Sequence, residues 1–359
     1  MTDHAGLLNA GFFMIICSGG IMISNGDERM LRALRNLGAC VCIAMREKTL
    51  RKPIEDLSAV SRESSDDTIY EIDTSIEEII LDYFCGQAKE TPPFALIMEG
   101  KPDEDLVFST SGRRNDCEYT VIMDPLDGTR GLMYGKRSAW LLSAAARGTS
   151  AALSMKNICI AVQTEIPPIK QNVSDIMWAV KGQGAHGERF NIDSGKVTNL
   201  KLTPSRAEDL HYGYATFNRF FPGAKREITA IENELQSRLE ATGRPSFHFE
   251  DQHICNGGQL AALATGQDRF VCDIRAALSP ILAAKGRPAL LCAHPYDLCC
   301  ELIAREAGAV VTGCDGLPLD CPLDTTTDVS WIGYANEKIR SLVEPHLLDI
   351  LSSPEKYLI

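Results

Sequence analysis

The stretch MDPLDGTRG, residues 123–131, sets two aspartates three apart across a proline and follows the second at once with Gly-Thr. It closes the apolar run YTVIM (119–123), which reads as a strand. Pro125 fixes its own φ and offers no N–H, so that strand is expected to stop there. On backbone this stiff, Asp124, the carbonyl of Leu126 and Asp127 are expected to face one volume, and Gly128 permits a turn that other residues resist. Two carboxylates so close repel one another, and would hold a proton unless a cation lay between them. All-oxygen donors are hard and suit magnesium, manganese or calcium; the imidazole or sulfur that zinc or iron would favour is absent. If Gly128-Thr129-Arg130-Gly131 opens a helix or tight turn, its N–H groups face phosphate oxygens. The economical reading is a metal-assisted phosphate site.

Around this stretch lie further β-rich runs, FALIM (94–98), AWLLSAA (139–145), ICIAVQ (158–163) and IMWAV (176–180), which together predict a sheet between residues 95 and 200. Helices are predicted over 27–47 and in TSIEEIILDYF (74–84), where Ile76, Ile79, Ile80, Tyr83 and Phe84 share one face. With Thr74 or Ser75 as its cap, Asp73 stands at the mouth of that helix. Another helix is written in KREITAIENELQSRLEATG (225–243). DRFVCD (268–273) and PALLCA (288–293) read as strands, YDLCCELIAREAG (296–308) as a helix, and AVVTG (309–313) and VSWIGYA (329–335) as strands. The chain divides into two helix-and-sheet halves, 1–205 carrying MDPLDGT and 206–359 carrying Asp297.

Thirty-six basic against 48 acidic residues give a net charge of −12, with no Lys/Arg run to track a phosphate backbone. Nucleic acid is not an expected partner, whereas cations in an acidic cleft still admit a small phosphorylated metabolite. The 13 cysteines show no CxxC pair and most sit in apolar runs, as reduced, buried residues of a cytoplasmic protein do. Ala5 to Gly26 carries no charge. Asn9 and Ser18-Gly19-Gly20 interrupt it and the leader lacks Lys or Arg, so a buried helix or hairpin is expected, not a membrane span or signal peptide. GQGAHG (182–187) matches a dinucleotide-binding spacing, but no helical stripe follows, and a turn between strands is expected. His248 and His253 are read as structural, and His294 as a loop histidine with a lesser claim to orient Asp297.

MDPLDGT is similar to the Asp-Pro-x-Asp-Gly-Thr hallmark of the inositol monophosphatase and fructose-bisphosphatase superfamily, the magnesium-dependent, lithium-sensitive phosphatases. DDTIYEIDTSIEE, ALIMEG, IMWAVKGQGAHG and HPYDLCCELIAREAGAVVTGCDGLPL resemble its other blocks, in order, over roughly residues 55 to 340. The resemblance implies an α/β protein, a layered αβαβα sandwich. It also implies two or three Mg2+ ions, replaceable by Mn2+, with Glu99, Asp124 and the Leu126 carbonyl holding one and Asp124, Asp127 and Asp297 another. Thr129 and Asp73 would activate the attacking water, with Glu99 beside them. Gly128 and Thr129 would meet the phosphate, Asp273 the substrate hydroxyls, and Arg275 or Lys285 a second anionic group. A homodimer is expected on the same ground.

The chain departs from that pattern at Met98-Glu99-Gly100, where Gly-Glu-Glu is common, and at Arg62 and Tyr70, where Lys and Thr are common. The segment between Asp273 and Asp297 is also longer. The expected activity is hydrolysis of an inositol-monophosphate-like ester. A bisphosphate nucleotide phosphatase or fructose-bisphosphatase is the alternative, and a silent phosphometabolite-binding protein the alternative of another class.

Overall fold

The computed structural model describes residues 24–51, 60–63, 68–101, 105–243 and 246–357. The expected N-terminal helix or hairpin falls almost wholly on residues 5–23, outside them. α1 (Asn25–Arg51) buries Met30, Leu34, Leu37, Val41 and Met45, the three-to-four-residue spacing of one helical face. A hairpin of β1 (Val60–Glu63) and β2 (Thr68–Tyr70) leads directly into α2 (Glu71–Gly86). This helix starts earlier than the Thr74/Ser75 cap predicted, because the Asp73 carboxylate accepts the Tyr70 N–H at 2.8 Å and stabilises a start at Glu71.

Next come β3 (Phe94–Met98), β4 (Leu106–Phe108), β5 (Tyr119–Asp127), the short α3 (Thr129–Met133), β6 (Ala139–Arg147), β7 (Ile158–Ile166), β8 (Val173–Val180), β9 (Ala185–Asn191) and β10 (Val197–Leu200). Their strands form one eight-stranded sheet in the order β10-β9-β8-β7-β6-β5-β3-β4, antiparallel except for β3 beside β5. Both faces are covered, which is why these strands read as continuous apolar runs. The glycine-rich 182–187 is the turn from β8 into β9, and the N–H groups of Gly182 and Gly184 are taken by the Glu306 carboxylate at 2.7 and 2.8 Å.

The remaining elements are β11 (Tyr214–Phe217), α4 (Lys225–Ala241), α5 (Asn256–Thr265), β12 (Asp268–Asp273), α6 (Arg275–Ala284), α7 (Pro295–Leu298), α8 (Glu301–Ala307), β13 (Val310–Thr312), β14 (Trp331–Tyr334) and α9 (Glu337–Leu351). A second sheet runs β11-β12-β14-β13. PALLCA is not a strand: Pro288 has no N–H to give, Leu290 N–H goes to Ser279 Oγ, and only Ala293 bridges, to Val329. The predicted helix at 296–308 is two short helices broken at Cys299-Cys300. α6 was hidden in the sequence by Pro280 inside it.

Three apolar cores give the layering. α1 and α2 pack on one face of the large sheet, α5, α7 and α8 fill the space between the two sheets, and α4, α6 and α9 cover the far face of the small one. The protein is thus an αβαβα sandwich. Among the described residues no helix is long and apolar enough to cross a membrane.

Candidate active site

β3 and β5 run parallel with Met98 opposite Met123, so the next residue of each, Glu99 and Asp124, emerge side by side. Glu99 N–H donates to the Met123 carbonyl at 3.1 Å, which keeps the two acidic residues next to each other. Two anions hold that arrangement only around a shared proton or a cation.

β5 does not stop at Pro125 as expected; it continues through a bulge, with Asp124 opposite Leu142 and Asp127 opposite Trp140. On a regular strand, side chains three apart face opposite sides of the sheet. The extra residue of the bulge turns Asp127 back toward Asp124, and Pro125 is tolerated because a bulge leaves a residue unpaired. Leu126 N–H donates to Asp124 Oδ1 at 2.9 Å and fixes that carboxylate.

α5 aims its first turn at the same point. Gly257 N–H donates to Asp127 Oδ2 at 2.5 Å. A Cβ on Gly257 would stand 2.5 Å from Leu142 Cδ2 and 3.2 Å from Asp127 Oδ2, so only glycine permits this approach. Asp297, third residue of α7, accepts the His294 N–H on Oδ2 at 2.7 Å and faces Asn256 Nδ2 with Oδ1 at 3.3 Å. His294 stacks on Tyr296, whose hydroxyl is 3.1 Å from Nδ1. One oxygen each of Asp124, Asp127 and Asp297 therefore lie within 4.8 Å of one another.

Asp73 holds the same place in α2 that Asp297 holds in α7, with one oxygen on the helix start and the other turned outward. That outward Oδ1 accepts from the Thr129 hydroxyl at 2.9 Å. Thr129 Oγ1 is also 2.8 Å from the Leu126 carbonyl, and its single proton can serve one acceptor at a time. Gly128, at φ 92°, makes the left-handed turn that starts α3 there.

Burial raises the carboxyl of Asp124 well above its ordinary range, and the charges of Asp127 and Asp297 add to it. Asp127 is pushed up by burial and then by Asp297; Asp297 is raised by burial against the His294 hydrogen bond. A hard divalent ion, at about 2.1–2.5 Å from each oxygen, spans such separations and removes the repulsion. The donor set fits magnesium or manganese.

Asp73, Glu99, Asp124, Leu126, Asp127, Gly128, Thr129, Arg275 and Asp297 all line one cleft. Asp273 does not; it is fully buried behind the cleft, where it holds Arg275 through Nε at 2.9 Å and Nη2 at 2.5 Å. Lys285 is exposed at the end of α6, away from the lining. The cleft also takes Tyr70 and Arg130, which the sequence named without a side-chain role there, and Phe220, Phe221, Cys255 and Asn256, whose part sequence reasoning did not foresee. For the last two a signal exists: Asn256-Gly257-Gly258 before the apolar LAALA run marks a helix start. For Phe220 and Phe221 there is none, because the loop after β11 reaches the cleft only through the packing of the sheets.

The Inositol monophosphatase family model matches residues 28–346. The fold is similar to the holo form of Leishmania major fructose-1,6-bisphosphatase (TM-score 0.65, 11% identity, covering 93% of this chain and 96% of that one). It is similar also to the extragenic suppressor protein suhB of Bartonella henselae (0.57, 19%, 88% and 98%). A Pyrococcus horikoshii protein with similarities to inositol-1 monophosphatase gives 0.56, 19%, 89% and 98%. No curated protein sequence matches.

Proposed function

The chain belongs to the inositol monophosphatase family, and from that we propose that it is a divalent-cation-dependent phosphomonoesterase acting on a small phosphorylated metabolite, an inositol, sugar or nucleotide. The observation that carries this is the meeting of Asp124, Asp127 and Asp297 from distant parts of the chain beside the Thr129–Asp73 pair. Glu99, Asp124, the Leu126 carbonyl, Asp127 and Asp297 would hold magnesium or manganese. When bound, such ions would supply Lewis acidity at the phosphoryl oxygens and compensate the charge of phosphate and leaving oxygen.

The protein's own groups do the rest. Thr129 Oγ1 hydrogen-bonds an attacking water and passes its proton toward Asp73, whose other oxygen stays anchored on Tyr70 N–H. The new P–O bond forms in line as the ester P–O bond breaks, the leaving oxygen takes a proton from solvent water to depart as the alcohol, and Asp73 returns its proton to solvent. The backbone at Gly128 and Thr129 steadies the phosphate. Cys255 is no nucleophile here: burial and the neighbouring Asp127 push its thiol up.

The test is phosphate release across phosphorylated inositols, sugars and nucleotides, with and without magnesium and with lithium added. Asp124→Asn should abolish turnover with the fold intact by circular dichroism; undiminished release by that variant refutes the reading. The altered Met98-Glu99-Gly100 block keeps the silent binder as the rival, which calorimetric binding without any phosphate release would favour.

A further inference from the structure

The cleft contains two arginines, and they are not equivalent. Arg275 is buried, and its charge is met by the fully buried Asp273 while Nη1 donates to the Leu291 carbonyl at 2.6 Å. Its Nη1 and Nη2 each keep one further N–H, but with its charge already compensated by a buried carboxylate it draws an anion less strongly than an unpaired cation does. Phe220 and Phe221 lie against its guanidinium, 5.0 and 5.1 Å from their ring centres. Arg275 is thus part of the wall.

Arg130 has no such partner. Its side chain makes no hydrogen bond or ion pair among the described residues, yet it is half-buried on the cleft lining. Two aromatic faces hold it: its guanidinium carbon is 5.5 Å from the Tyr70 ring centre and 5.8 Å from that of Phe221. Cation–π contact restrains a guanidinium while leaving its N–H donors unused. Arg130 also directly follows Thr129, so the two Cα atoms are about 3.8 Å apart, and both residues line the cleft. Five carboxylates line the same cleft, Asp73, Glu99, Asp124, Asp127 and Asp297. A cation left unpaired beside them, held in place in advance, is a docking point for an anion supplied by the ligand.

We infer that Arg130, clamped by Tyr70 and Phe221, is a specificity-determining residue that reads a second anionic group on the substrate, so that the preferred class is a phosphate ester carrying a further phosphate or carboxylate. The inference rests on the phosphatase reading and deepens it. It moves the second-anion contact from Arg275, where the sequence suggested it, to Arg130. A planar guanidinium meets phosphate or carboxylate with paired N–H bonds, whereas the ammonium of a lysine meets it as a point charge.

The test uses matched pairs that differ by one anionic group, inositol monophosphate against inositol bisphosphate and glycerol phosphate against phosphoglycerate. The first pair tests phosphate as the second anion and the second tests carboxylate. kcat/KM is measured for the native protein, Arg130→Gln and Arg130→Lys, and the Kd of each ester is measured by calorimetry in magnesium on the slow variant Thr129→Ala with and without Arg130→Gln. The second anion should improve kcat/KM and Kd in at least one pair. Arg130→Gln should then remove about tenfold or more of that preference, the size of one charged hydrogen-bonded contact, with partial recovery in Arg130→Lys. Equal losses on both members of each pair would place Arg130 on the scissile phosphate and overturn the inference while leaving the phosphatase reading standing. An unchanged preference in Arg130→Gln also overturns it alone. Esters that neither turn over nor bind would overturn both.

Discussion

At the scale of single residues, four of the five carboxylates in the cleft have one oxygen fixed by a backbone N–H. Asp73 and Asp297 are fixed by the N–H groups that open α2 and α7, Asp124 by Leu126 N–H, and Asp127 by Gly257 N–H. Fixing one oxygen orients the other without neutralising it. Thr129 then links Asp73 to this set. Thr129→Ala should lower kcat by about 100-fold or more, as loss of a proton-relaying group does, with the magnesium-induced rise in melting temperature retained. Loss of both together would mean that Thr129 supports cation binding instead.

A second residue-scale prediction concerns Asp268, far from that chemistry at the start of β12. Burial, with Asp251 adding repulsion and Arg137 partly relieving it, lifts its carboxyl to about 7. The folded protein therefore favours the protonated form, and the stability associated with Asp268 is full below the unfolded pKa of about 4 and is lost as pH rises through about 7. Asp268→Asn should stabilise the protein at pH 8 by on the order of 1 kcal/mol, a figure discounted for the side chain's residual contact with water. Near pH 4 the gain should vanish. Urea midpoints at both pH values check this, and an equal change at each would show that charge is not the cause.

Elements act by register and close approach. The parallel pairing of β3 with β5 makes Glu99 a neighbour of Asp124, and the bulge in β5 makes Asp127 one. Neither is a property of one residue. On the far side of the sheet, α1 lies on β7 through Gly38, where a Cβ would stand 2.0 Å from Thr164 Oγ1 and 2.9 Å from Thr164 Cβ. Helix and strand backbones must part to admit even a methyl group. Gly38→Ala should cost about 1–3 kcal/mol in urea unfolding, the range of overpacked cores, and Thr164→Ala in the same chain should recover part of it. No cost in Gly38→Ala would show that α1 rides free of β7.

For the molecule as a whole, the cluster ties the layers together. Glu99, Asp124 and Asp127 come from strand ends of the large sheet, and Asp297 from the helices between the sheets. A bound cation should therefore stabilise the entire fold by mass action, by about 2.7 kcal/mol at a hundred times its Kd. Melting in magnesium should run several degrees above melting in EDTA, and Asp124→Asn should abolish the difference. An identical melt in both solutions would separate the cluster from cation binding.

What the sequence determined by itself was local. Alternating and continuous apolar runs gave most strands of the large sheet, helical spacing gave α1, α2 and α4, and MDPLDGT gave Asp124 and Asp127 as a pair of converging acidic donors, because these depend on neighbours along the chain. Tertiary structure decided which residues share the cleft and in what state. Asp273 and Arg275 stand two apart, yet only packing shows that they neutralise each other and leave Arg130 as the cation without a carboxylate. PALLCA reads as a strand but has no partner to complete a ladder, and Pro280 disguises a helix that its packing keeps. The physical reason is the same throughout: propensity and pattern are summed over adjacent residues, whereas charge pairing, bulge direction and burial are settled by groups that the chain brings together from hundreds of bonds away.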